Sequence, residues 1–263
     1  MSIAIQLAES VPADAEVLGV GVYADRLADG TVPEPLDAAF LTAQGFSGKP
    51  GETLVVPGPA GQAVVALGLG DSAEVTVRTF RKAAAALARA GRRQQRVATT
   101  LLADLPAADP DGFGEGDAGR LDRAEVARAL AEGTILGAYR YTALKSDPEA
   151  SNVTRVDVVA GDDEGDGMLA AAFARGSAIA EAVCLARDLV NEPGGELTPR
   201  VFADRAVALG RGGGFTVEVL DRPAIEGEKM GGLLGVNRGS DEDPRFVKLA
   251  YEPESPTATV ALV

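Results

Sequence analysis

The residues able to do chemistry are few, and most of their groupings fall short of a working pattern. Gly68-Leu69-Gly70 follows an apolar run and precedes a helical one, the setting of a dinucleotide-binding glycine turn. The third glycine of that pattern would stand at position 73, which is Ala73. The acidic residue expected about twenty positions on is replaced by Ala90-Gly91-Arg92, so the run reads as a simple turn. Asp162, Glu164, Asp166 and Gly167 imitate the first half of a calcium loop. Its twelfth position needs a bidentate carboxylate and holds Phe173, so the segment reads as a solvated hinge. Cys184 sits beside an apolar helical stripe with only Arg187 near it, which suits a packed thiol better than a nucleophile. Nothing around Lys229 or Lys248 supports a catalytic base. The chain contains no histidine, which removes Ser-His-Asp, Cys-His and imidazole-ligated metal chemistry from these residues. No catalytic, cofactor-binding or metal-ligating residue is assigned within the 263 residues.

Charge narrows the partners. The 39 carboxylates outweigh 25 cations, giving a net charge of −14 that opposes DNA and other polyanions. The only local basic group is Arg89, Arg92, Arg93 and Arg96, read as a solvated helix end where cations favour the C-terminal dipole. One cysteine forms no internal disulfide. The N-terminus lacks a basic leader with an apolar core, and no stretch is read as approaching the ~20 apolar residues of a membrane span. These features favour a cytoplasmic protein without a membrane partner.

The elements that must position these residues alternate between strand and helix, the signature of an α/β layer fold. Strands are expected at 3–8, 17–23, 52–56, 63–67, 97–102 and 153–160. Of these, Val17–Tyr23 is apolar throughout and so central. Helices are expected at 36–44, ended by Gly45, at 77–90, stopped by Gly91, and at 124–138. Pro106 to Gly119 reads as a loop, and the composition break at 161–167 as a domain boundary. A long helix follows with Leu169, Phe173, Gly176, Ile179, Val183, Ala186 and Val190 as one apolar stripe. Thr198 caps, and Pro199 opens, a helix to about Leu209. Beyond it come a strand at 216–220, a short helical piece at 223–228, a strand or tight packing contact at 230–236, and strands at 246–251 and 259–263. Residues 196–263 thus supply about three strands and two helices, too little to close a core.

Several segments, in order, resemble the leucyl aminopeptidase (cytosol aminopeptidase) family. Gly45-Phe46-Ser47-Gly48-Lys49 with Gly51-Glu52-Thr53, the run Val65 to Gly70, and Ala131 to Tyr141 with Lys145-Ser146 resemble its N-terminal domain. Ala186 to Asn191 with Leu197-Thr198-Pro199 resembles the junction to its catalytic domain. Phe215 to Leu220, Lys229 to Val236, Gly239-Ser240 and Pro244-Arg245 continue the likeness. The resemblance implies a macro-domain-like N-terminal mixed-sheet α/β domain at 1–165 and a connecting helix at 166–195. It implies an incomplete start of a C-terminal catalytic α/β domain at 196–263.

The same resemblance implies a metal-dependent exopeptidase that releases N-terminal residues from peptides. Such enzymes are hexameric and use two divalent ions, Mn²⁺ or Zn²⁺. The family's metal-binding and catalytic residues are expected downstream of Val263, so no metal is expected here and the chain alone should be inactive. Two alternatives are a non-enzymatic module binding DNA or a small ligand, and a regulatory subunit that pairs its unfinished edge strand with a full-length partner.

Overall fold

The alternation of elements builds a six-stranded sheet and a separate two-stranded one. The computed structural model describes residues 3–59, 61–106, 121–161 and 166–262. It divides into two units, Met1–Arg187 and Asp188–Val263.

The first unit holds β1 (Ala4–Ala8), β2 (Val17–Tyr23), α1 (Ala24–Ala28), α2 (Ala38–Ala43), β3 (Thr53–Pro57), β4 (Ala63–Gly70), α3 (Val77–Ala90), β5 (Arg96–Thr99), α4 (Arg123–Ala138) and β6 (Arg155–Val159). Most of α5 (Asp166–Asn191) also belongs to it. The strand order is β1-β6-β5-β2-β4-β3, parallel except for β3, which runs antiparallel to β4. The expected central strand is central: β2 lies between β4 and β5 with all seven residues buried.

Alternation along β2 sorts the core into two layers. Leu18, Val20 and Val22 meet Leu27 of α1 and Leu41 of α2 on one face. On the other face Val17 joins Phe80 and Leu87 of α3, Val126 and Leu130 of α4, and Leu169 and Phe173 of α5. That second layer is tight because glycines stand where helices cross. A Cβ on Gly133 would lie 2.1 Å from the Arg81 carbonyl oxygen, and one on Gly176 would lie 2.4 Å from that of Arg128. Glu132, buried on α4, is held by Arg81 at 2.6 Å and Arg128 at 3.0 Å.

Several boundaries differ from expectation. β4 continues through Gly70, so Gly68-Leu69-Gly70 is strand and not turn. β5 ends at Thr99, where the Thr99 hydroxyl binds the Gly19 carbonyl and accepts from the Leu101 amide. The helix α1 was not expected. Its five residues are too few to show a period. The stripe on α5 also shifts: Leu169, Phe173, Gly176 and Ala180 are buried, while Ile179, Val183 and Val190 are exposed. The expected stripe advanced 3.5 residues per turn, and a helix turning every 3.6 residues carries its far end off the core. This helix, over 167–191, is also long and apolar enough to cross a membrane by length and composition. The expectation of no such stretch is therefore corrected. The expected loop at 106–119 lies outside the described residues but for Pro106, and Asp162 and Glu164 of the imitated calcium loop lie outside them too.

The second unit holds α6 (Pro199–Gly213), β7 (Thr216–Leu220), α7 (Arg222–Gly227), α8 (Gly231–Asn237) and β8 (Phe246–Ala250). The Thr198 hydroxyl accepts from the Val201 amide, capping α6 as expected. The helix runs four residues past Leu209, because glycine lowers helix propensity without forbidding it. The segment expected as a strand or packing contact at 230–236 is the helix α8. The glycines in the run Met230–Val236 hid a short helix. β7 and β8 pair antiparallel, Thr216 opposite Ala250. The strand expected at 259–263 does not form over its described part, 259–262, where Val260 and Leu262 are 80% and 95% exposed. Among the described residues no strand pairs with it. Two strands and three helices therefore replace the expected three and two. Ala203, Ala206, Ile225 and Pro244 are the buried residues among those described.

Candidate functional site

The chain leaves β2 into α1 on one face of the sheet, and it leaves β5 toward α4 on the other. Adjacent parallel strands whose connections part in this way open a crevice at their C-terminal ends, the usual ligand position in α/β sheets. A cleft of about 330 Å³ lies there, between Tyr23 at the end of β2 with Arg26 of α1 and Asp104 and Leu105 after β5. Val32 and Pro33 add an apolar wall.

Its polar groups are arranged from both strands. The Tyr23 hydroxyl donates to the Asp104 carbonyl at 2.8 Å. Burial pushes that hydroxyl's pKa well above the usual tyrosine range, so it stays protonated and keeps donating. The Arg26 guanidinium lies 4.9 Å from the Tyr23 ring centre in a cation–π contact. The Asp104 carboxylate accepts from the Thr100 hydroxyl. Burial raises its pKa, against the opposing pull of Thr100 and of the Arg26 charge. Arg26 makes no ion pair among the described residues. The cleft therefore offers a cation, an acid and an apolar wall, which is equipment for binding. None of these residues was singled out in the sequence. Only the parting of the two connections marks them, and that appears only once strand order is known.

The residues that were singled out take structural places. Gly68 packs on the neighbouring loop: a Cβ there would lie 2.1 Å from the Lys49 carbonyl oxygen. Gly70, at φ +85°, donates its N–H to the Gly48 carbonyl at 2.8 Å. The motif Gly45 to Lys49 wraps a carboxylate: Glu52 Oε2 accepts from the Ser47 amide at 3.0 Å, the Ser47 hydroxyl at 2.9 Å and the Lys49 amide at 3.2 Å. Burial alone would raise the Glu52 pKa, but these donors together lower it. Cys184 packs partly buried against the α3–α4–α5 layer. Lys248 pairs with Glu218 across β7 and β8 at 3.6 Å, and Lys229 is exposed at a left-handed turn, φ +57°. In the basic group, Arg92 pairs with Glu149 and Arg96 with Asp14, each at 3.1 Å. Half of that charge is thus neutralised within the fold.

Metal ligation has no foothold among the described residues: no three His, Cys, Asp or Glu side chains converge on one point. A dinuclear site needs several such oxygen or nitrogen ligands around each ion. The described residues do not fit one.

Comparison with known proteins assigns the family. The cytosol aminopeptidase family's N-terminal domain matches residues 20–148, and its catalytic domain matches residues 184–263. The probable cytosol aminopeptidase of Rhodococcus jostii (strain RHA1) is 37% identical, covering 98% of this chain and 50% of that protein. That of Aquifex aeolicus (strain VF5) is 34% identical, covering 90% and 45%. Among solved structures, the bottromycin maturation enzyme BotP in complex with Mn is 34% identical at a TM-score of 0.72, covering 91% of this chain and 46% of that one. A tomato leucine aminopeptidase variant shares the fold at a TM-score of 0.79 and 22% identity, covering 97% and 52%. The chain spans about half the length of the curated relatives it matches. With both domains of one family matched in order along it, the chain belongs to the cytosol aminopeptidase family.

Proposed function

We propose that this chain is the N-terminal portion of a cytosolic, divalent-metal-dependent leucyl aminopeptidase, an exopeptidase that releases N-terminal residues from peptides and works as a homo-hexamer. The observation that carries this reading is the ordered match of both family domains over a chain that covers only half of its relatives. Residues 1–165 would be the N-terminal domain, 166–195 the connecting helix and 196–263 the opening of the catalytic domain. The relative BotP was solved with Mn, which favours manganese as one working ion, with zinc the other expected choice. Among the described residues no three metal-ligating side chains converge. On this reading the groups that hold the ions and perform the hydrolysis lie outside these 263 residues, and the chain alone is inactive. The test is hydrolysis of leucine p-nitroanilide with added Mn²⁺. The 263-residue chain should give no turnover above buffer. Turnover by this chain that a chelator abolishes would overturn the assignment of the chemistry to other residues.

A further inference from the structure

We propose that the cleft between the ends of β2 and β5 binds a free α-amino acid with an apolar side chain, as a zwitterion. Such a ligand demands three things at once: a donor for its carboxylate, an acceptor for its ammonium, and an apolar surface for its side chain. The cleft presents each from a different segment. Arg26 lies over the Tyr23 ring, which holds its guanidinium in place while leaving its N–H edge without a carboxylate partner among the described residues. A planar guanidinium fixed in this way suits a carboxylate. Asp104 supplies the acid; one of its oxygens accepts from Thr100, and no described residue donates to the other. Val32, Pro33 and Leu105 line the remainder.

The spacing argues for a zwitterion over a single ion. The Arg26 charge is felt at Asp104, yet the two side chains form no ion pair with each other. They are separated charges facing one cleft, and a small molecule carrying both opposite charges can satisfy them together. Burial raises the pKa of Asp104, and an ammonium beside it would restore the ionised form. At about 330 Å³ the cleft is at the small end of ligand sites, which suits an amino acid and excludes a larger ligand from full enclosure. Occupancy of this cleft is independent of the peptidase reading. Where that reading holds, the ligand class is also the product of the reaction, and the site would be a sensor of it outside the catalytic domain.

Calorimetric titration of the full 263-residue chain with L-leucine tests this, with N-acetyl-L-leucine, which lacks the ammonium, and L-leucinamide, which lacks the carboxylate, as single-charge probes. Arg26→Gln and Asp104→Asn are titrated alongside, after thermal melts establish that each is folded. Leucine should bind saturably, with affinity falling at least ~10-fold (about 1.4 kcal/mol) for either probe and in either variant. Absence of leucine binding up to about 10 mM, above the weakest affinity of interest, overturns the proposal. Equal binding of N-acetyl-leucine reduces the cleft to a plain anion site, and equal binding of leucinamide to a cation site; both overturn it. Leucine binding unchanged in one or both variants overturns it as well. Arg26 is exposed and its replacement leaves the core intact, so that variant with the two probes decides the matter even where Asp104→Asn does not fold.

Discussion

β2 and β7 are strands of similar apolar content with opposite fates. All seven residues of β2 are buried; none of the five in β7 is. Valine is prominent in both. What differs is the surroundings. β2 has a strand on each edge and helices on both faces, whereas β7, among the described residues, has one neighbouring strand, β8. The same contrast holds across the two units: one buries a double layer of leucine, valine and phenylalanine, the other buries Ala203, Ala206, Ile225 and Pro244 among its described residues. Apolar residues state what can be buried. The layers laid over them decide what is.

The sharpest way to break this comparison is amide hydrogen exchange. Amides of β2 and β4 should exchange at least ~10³-fold more slowly than those of β7 and β8, since local opening is cheap where few apolar contacts are lost. Comparable protection in both sheets would show that the second unit is stabilised by contacts its burial does not reveal. Paired truncations come next. Phe80→Ala, at a fully buried position in the first unit, should cost about 3–5 kcal/mol in urea unfolding. Phe246→Ala, at a site 41% exposed on β8, should cost less than ~1 kcal/mol.

Glycine replacements should then differ in sign between the units. Gly133→Ala forces a methyl into the Arg81 carbonyl and should destabilise by about 1–3 kcal/mol. Gly232→Ala, on α8 with open space around it, should be stabilising by about 0.5–1 kcal/mol through helix propensity. A loss at both sites, measured by the same unfolding curves, would mean that α8 is packed against something. The smallest effect is electrostatic. The amides and hydroxyl that donate to Glu52 hold its folded pKa below that of an ordinary glutamate, so its contribution is present above the ordinary value and is lost as pH falls through the folded pKa. The stability gap between the wild type and Glu52→Gln should be steady at neutral pH and close in acid. A gap that stays constant down to pH ~3 would place the contribution in packing rather than in charge.

Long periodic segments were readable in the sequence because their neighbours agreed with their pattern. The helix at 77–90 and the strands at 17–23 and 216–220 stand where the residues put them. Where only a few residues act, or where a partner must be present, the sequence is silent. α1 has five residues, and α8 is rich in glycine. The apolar tail from Thr259 has strand composition and, among its described residues, no strand beside it. The family motifs were legible as a set, and their roles were not. Gly68 reads as part of a turn until the Lys49 carbonyl is seen against it. The cleft was illegible for a deeper reason. Arg26 and Asp104 are separated by 78 positions, and only the adjacency of β2 and β5, with their connections parting to opposite faces, brings them to one place.

The carboxylate clasped by Ser47 and Lys49 has a consequence for selectivity. Convergent amides in a glycine-rich bend are the natural berth for a roaming inorganic anion. Here Glu52 is a permanent tenant, seated from within the polypeptide as soon as the bend closes. A phosphate or sulfate would find those amides already taken, while the Gly70 N–H to the Gly48 carbonyl and the Gly51 N–H to the Gly68 carbonyl moor the bend to β4.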